Sequence, residues 1–161
     1  MTIDPDHPPE STTHVIFTDG SGNGGWAAII VQPGIGVEEL SGRETKKVTN
    51  NRMEMLAAIK ALERLAEDEG CDAFEILIFT DSRYLAENFA LIPIWKARNW
   101  MTHGYPERGI DPGPVRNQDL WERLDSLSDT FNFQLIAIAR DSHALNKRAD
   151  ELAGQAASKI A

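Results

Sequence analysis

Four carboxylates in this chain fall where chemistry can be built on them. Asp19 ends a short apolar run, Val15-Ile-Phe17, and is followed by Gly20, Gly22, Gly24 and Gly25. Asp81 follows a second such run, Phe74 to Thr80, in the same way. Glu54 lies at the head of a helical pattern that leads into that second run, and Asp150 lies in a helical pattern near the end of the chain. Carboxylates gathered at one place repel one another and raise each other's pKa, so a cluster is costly unless a cation neutralises it. Hard oxygen ligands select Mg²⁺ or Mn²⁺. Two such ions about 3.5–4 Å apart can clamp the attacking and leaving oxygens of a phosphoryl displacement. Each residue also has an ordinary structural reading. Asp19-Gly20 is a favoured hairpin pair, and Asp81 can cap the helix that follows it. Glu54 stands at capping-box spacing from Asn51, and Asp150 can pair with Lys147 or Asn146 along its own helix.

The elements that must position these groups follow from the apolar pattern. Val15-Ile-Phe17 reads as a strand buried on both faces. The glycines permit a tight reversal, and Trp26 to Val31 returns as the second arm of a hairpin. Gln32-Pro-Gly-Ile-Gly36 is another turn, and the charged stretch Val37 to Lys46 suits a third, antiparallel strand at a sheet edge. Leu56, Ile59, Leu62 and Ala66 recur at helical spacing over 49–66, with Asn50 or Asn51 as cap and Gly70 as stop. Phe74 to Thr80 is the next buried strand. Short helices over Ser82–Phe89 and Ile94–Met101 precede a polar loop from Thr102 to Arg116. Asn117 caps a further helix carrying Leu120, Trp121, Leu124 and Leu127, Phe131 to Ala139 is a third buried strand, and a helix from about Leu145 to Ile160 closes the chain. A meander followed by strands that return through helices implies a mixed α/β sheet with parallel neighbours. In such sheets the site lies beyond the carboxyl ends of the parallel strands, where Asp19 and Asp81 both sit.

A length of 161 residues suits one domain, expected over 14–161. The polar, proline-rich residues 1–13 read as a disordered tail without the features of a signal peptide. The single cysteine, Cys71, excludes an intramolecular disulfide and fits a reducing compartment such as the cytoplasm. No apolar run reaches the roughly 18 residues of a membrane span. The formal net charge of −9 argues against a tight, charge-driven nucleic-acid binder. It leaves room for an enzyme on nucleic acid, where bound cations and local basic patches offset the excess. One such patch runs from Pro93 to Arg116, with Lys96, Arg98, Arg108 and Arg116 against Glu107 and Asp111.

Phe17-Thr-Asp-Gly-Ser21, Thr49-Asn-Asn-Arg-Met-Glu54, Phe79-Thr-Asp-Ser82 and Asn146-Lys-Arg-Ala-Asp150 resemble, in order and spacing, the motifs of type 1 ribonuclease H. The likeness covers the chain from about Val15 onward. It implies the ribonuclease H fold, a five-stranded mixed sheet flanked by helices. It also implies endonucleolytic cleavage of the RNA strand of an RNA/DNA hybrid by a monomer, using two Mg²⁺ ions with Mn²⁺ as a substitute. By the same resemblance Asp19 bridges both ions, and Asp150 helps hold the one that activates water. Glu54 and Asp81 hold the one at the 3′-oxygen leaving group. His143 is the candidate for the family's mobile histidine, which assists proton transfer or product release. Substrate contacts are implied for Asn23, Thr49, Asn50, Asn51 and Arg83, and for a basic protrusion carrying Trp95, Lys96, Arg98 and Trp100. The resemblance leaves open a hybrid-binding module without activity and another nuclease on the same fold. Two loops are shorter than in most relatives, the glycine loop after Asp19 and the loop ahead of Asp150.

Overall fold

The computed structural model describes residues 3–158. Five strands form one mixed sheet in the order β3-β2-β1-β4-β5. They are β1 (His14–Gly20), β2 (Gly25–Gln32), β3 (Gly36–Arg43), β4 (Glu75–Thr80) and β5 (Asn132–Ala137). The helices are α1 (Asn50–Leu65), α2 (Arg83–Asn88), α3 (Ile92–Ala97), α4 (Gln118–Thr130) and α5 (Ala144–Ser158). The expected end of the last helix at Ile160 lies outside the described residues. β1 pairs antiparallel with β2 and β2 with β3, while β1–β4 and β4–β5 are parallel. The five-stranded α/β architecture is therefore the expected one. Among the described residues no helix is long and apolar enough to cross a membrane.

The near-continuous apolar runs of β1 and β4 have a direct cause. Successive side chains point to opposite faces, and both faces are covered. Ile16, Ile76 and Ile78 join α1 and α4 in one core. Val15, Phe17, Leu77 and Phe79 join α5 residues such as Ala149 in the other. Gly24, at φ +105°, makes the sharp reversal between β1 and β2. Its carbonyl accepts the Glu44 N–H at 2.8 Å, which ties the hairpin to the end of β3.

Several local expectations are corrected. Thr49 caps α1, its hydroxyl accepting the Arg52 N–H at 3.1 Å, so neither Asn50 nor Asn51 is the cap. Asn117 stands ahead of α4 in a left-handed conformation and makes no capping bond with its side chain. Its amide instead donates to the Tyr84 hydroxyl at 3.0 Å and accepts from Arg52 at 3.3 Å. α3 stops at Ala97 because Asn99 and Trp100 take positive φ. β5 is shorter than Phe131–Ala139 and only partly buried, because it is the sheet's outer strand. The segment ahead of β1 packs on the domain over the described residues 3–13. Thr13 N–H donates to the Glu75 carbonyl at 2.9 Å, and Ile3 packs on the α5-side core.

Candidate active site

The register of the parallel pair brings the first two carboxylates together. Thr18 is level with Thr80, so Asp19 and Asp81 emerge side by side at the carboxyl ends of β1 and β4. Ser82, not Asp81, caps α2 by accepting the Leu85 N–H at 3.1 Å, which leaves the Asp81 carboxylate free for the cleft. Glu54 arrives from the first turns of α1. A Cβ at position 20 would run into the backbone of Met53 and Glu54, so Gly20 lets α1 lie directly against β1. One oxygen each from Asp19, Glu54 and Asp81 lies within 4.8 Å of the others. Asp150, on α5, lines the same cleft of about 280 Å³ and faces Asp19.

The electrostatics show how costly the gathered carboxylates are without a cation. Asp19 and Glu54 are both buried. Burial first, then the charge of Asp19, holds the Glu54 carboxyl far above the usual carboxylate range. Burial likewise raises Asp19, with Asp150 and Asp81 adding to the effect. Asp81 is raised by burial too, while Arg140 and the Asn146 amide pull against that. The Glu54 Oε2 atom is buried and has no hydrogen-bond partner. A buried acceptor without a donor is costly, and a hard cation among oxygen ligands satisfies it. The donor set thus fits Mg²⁺ or Mn²⁺ in character.

The other sequence-predicted residues divide between this cleft and elsewhere. Asn50, Asn51 and Arg83 line it. Arg83 also pairs with Glu87 at 2.7 Å on the exposed side of α2. Thr49 is used as the α1 cap, and Asn23 is exposed at the tip of the β1–β2 turn. Trp95, Lys96, Arg98 and Trp100 do not line the cleft. Trp95 packs on Trp100 and on Trp121, with ring centroids 6.2 and 5.5 Å apart. Lys96 pairs with Asp125 at 2.9 Å. Arg98 borders a separate groove with Leu91, Ile94, Tyr105 and Ile110. His143 is also outside the cleft, its ring stacked on Phe17 and bonded to Asp6.

Sequence reasoning passed over three cleft residues. Arg140, Ser82 and Tyr84 line it beside the carboxylates. The signal for Arg140 was available: a lone cation immediately after the apolar run Phe131 to Ala139, at the sheet end where the acids gather. Asn146, buried at the start of α5, is the other missed contributor, through its contact with Asp81.

Comparison with known proteins bears on the whole domain. The RNase H family profile matches residues 11–158. A ribonuclease H of Francisella philomiragia is 39% identical over 153 residues, covering 91% of each chain. A ribonuclease H of Francisella tularensis subsp. novicida is 39% identical over the same length and coverage. Among solved structures, RNase H1 of the halophilic archaeon Halobacterium salinarum superposes with a TM-score of 0.60 at 25% identity, over 89% of this chain and 96% of that one. LC11-RNase H1 in complex with RNA/DNA hybrid superposes with a TM-score of 0.62 at 22% identity, over 89% and 95% of the two chains, a likeness of fold. A similarity that runs through the whole fold, and not only through four motifs, makes this chain a member of the ribonuclease H family of endonucleases.

Proposed function

We infer that the chain hydrolyses the RNA strand of RNA/DNA hybrids, with Asp19, Glu54, Asp81 and Asp150 holding two divalent ions, Mg²⁺ or in its place Mn²⁺. The observation that carries this reading is the convergence of three carboxylates within 4.8 Å around a buried, unpartnered glutamate oxygen. The hybrid bound by the LC11 neighbour supports the choice of substrate. Bound at these carboxylates, such ions supply neutralisation of phosphate charge and a water of lowered pKa, chemistry that leaves 5′-phosphate and 3′-hydroxyl ends without a protein nucleophile.

The chain's own residues have distinct parts. Asp19 faces both Glu54 and Asp150, which suits a carboxylate shared between the two halves of the cluster. Glu54 and Asp81 suit the half that serves the leaving 3′-oxygen, and Asp150 the half that holds the attacking water. Arg83 and Arg140 supply the cleft's positive charge for backbone phosphates. Asn50 and Asn51 offer amides that both donate and accept, as 2′-hydroxyls and minor-groove edges require. Thr49 contributes through the helix start that presents them.

The test is cleavage of end-labelled RNA/DNA hybrid, duplex DNA and single-stranded RNA, each with Mg²⁺ and with chelator. The reading expects Mg²⁺-dependent cuts in the hybrid's RNA strand alone. Equal cleavage of duplex DNA would overturn it in favour of a different nuclease. Tight hybrid binding without cleavage in either Mg²⁺ or Mn²⁺ would overturn it in favour of a binding module.

A further inference from the structure

His143 does specific structural work two turns along α5 from Asp150. Its carbonyl accepts the Lys147 N–H at 3.0 Å, the first bond of α5. Its ring Nδ1 accepts the Leu145 N–H at 3.0 Å. The residue therefore occupies the cap position of α5 and satisfies one of the helix's free N–H groups with a ring nitrogen. Accepting at Nδ1 puts the ring proton on Nε2, and Nε2 donates to Asp6 Oδ1 at 2.8 Å. The ring also stacks on Phe17, centroids 4.6 Å apart and planes 23° apart. Phe17 lies two residues before Asp19 on β1. The imidazole is thus held from three sides, and its side chain is only 17% exposed.

The spacing along α5 connects this cap to the cleft. Positions three and seven residues after His143 fall on its own face of the helix. They are Asn146, which faces Asp81, and Asp150, which faces Asp19. A shift in the first turn of α5 is carried to both. We propose that His143 is a positioning residue, latched by Asp6: it caps α5, pins the helix to β1 through Phe17, and so holds Asn146 and Asp150 at the carboxylate cleft. Asp6, in the segment ahead of β1, thereby acts on the site without touching it. The proposal rests on the reading of that cleft as a metal site.

The test compares His143→Ala, His143→Asn and Asp6→Ala in the full chain by three readouts. These are amide exchange at Leu145 to Lys147, Mn²⁺ affinity by calorimetry, and single-turnover hybrid cleavage. Loss of a cap in His143→Ala speeds exchange of the first turn by roughly 3- to 30-fold. Mn²⁺ binding weakens by roughly 10-fold, as when a ligand loses its support, and cleavage slows with it. Asparagine is a strong cap but carries no titratable proton, so His143→Asn recovers exchange and affinity to within about threefold of wild type. Asp6→Ala shifts all three readouts in the direction of His143→Ala, by less. The proposal fails if His143→Asn cleaves as slowly as His143→Ala while exchange and affinity stay at wild-type values, the pattern of a proton carrier. It fails equally if Asp6→Ala changes nothing. A wild-type chain that neither binds Mn²⁺ nor cuts hybrid would refute the reading of the cleft, and the exchange comparison would still decide the cap.

Discussion

Replacing Glu54 with Gln separates what the acidic cluster costs from what it does. Glu54 is 4% exposed. Burial first, and then the neighbouring charge of Asp19, raises its carboxyl well above its ordinary value of 4.5. An acid whose pKa is raised on folding binds its proton more tightly in the folded state. Its contribution to stability is full below the unfolded pKa and is lost as pH rises towards the folded one. Glutamine imitates the protonated acid at every pH. Glu54→Gln should therefore be close to neutral at pH 4 and stabilising at pH 8 in the metal-free chain. Each unit of upward shift corresponds to about 1.4 kcal/mol. Even one unit raises the Tm by roughly 3–6 °C for a chain of this size. The assay is thermal unfolding of both proteins in EDTA across that pH range, followed by circular dichroism. Added Mn²⁺ should then stabilise the wild type more than the variant, because only the folded wild type offers the complete ligand set. Hybrid cleavage by the variant should fall by more than about 100-fold. A variant less stable than wild type at pH 8, or a gain equal at both pH values, would refute the reasoning.

Three further outcomes follow from the geometry. Gly20→Ala forces a methyl group against the backbone of Met53 and Glu54; overpacking of this kind costs about 1–3 kcal/mol, and because it moves Glu54 off Asp19, cleavage should drop further than melting temperature does. Arg140→Gln removes cleft charge that faces Asp81, so kcat/KM for hybrid should fall by roughly 3- to 30-fold, with a flatter salt dependence measured between low and physiological ionic strength. Asp119 is held near a pKa of about 2, chiefly by its hydrogen bonds with Arg52. A lowered acid stabilises above its unfolded pKa and loses that contribution as pH falls through the folded one. Asp119→Asn should therefore cost less than about 1 kcal/mol at neutral pH, given the exposure of Asp119, and the difference should shrink as pH falls and vanish only in melts below the folded pKa.

The strands and the four acids were legible because both rest on local pattern. Apolar runs buried on two faces announce β1 and β4, and the residue leaving each run is read straight from the chain. What the pattern does not carry is conformation and neighbourhood. Thr49, Asn50 and Asn51 are all plausible caps by type, and only the extended backbone at Thr49 decides among them. The apolar content of Phe131 to Ala139 suggested a buried strand, but burial depends on place in the sheet, and β5 is an edge. Asn117 bridges Arg52 and Tyr84 from a backbone of positive φ that its sequence context does not signal. Lys96, Arg98 and the two tryptophans form one basic protrusion by pattern, but that Lys96 pairs with Asp125 and Trp95 packs on Trp121 is set by the fold around them. The contact of Asp6 with His143 joins residues 137 apart, and no local rule reaches that far.

If the carboxylates at the ends of β1 and β4 form the metal site that drives cleavage, the rate must depend on both the ion and Asp19. The deciding measurement is the single-turnover rate of hybrid cleavage as a function of Mg²⁺ concentration, for wild type and Asp19→Asn with hybrid saturating. Wild type should show a saturable, Mg²⁺-dependent rate, and Asp19→Asn no detectable RNA cleavage at any Mg²⁺ concentration, with hybrid binding by the folded variant retained. Cleavage by wild type in excess chelator, or Mg²⁺-dependent cleavage surviving in Asp19→Asn, would contradict it.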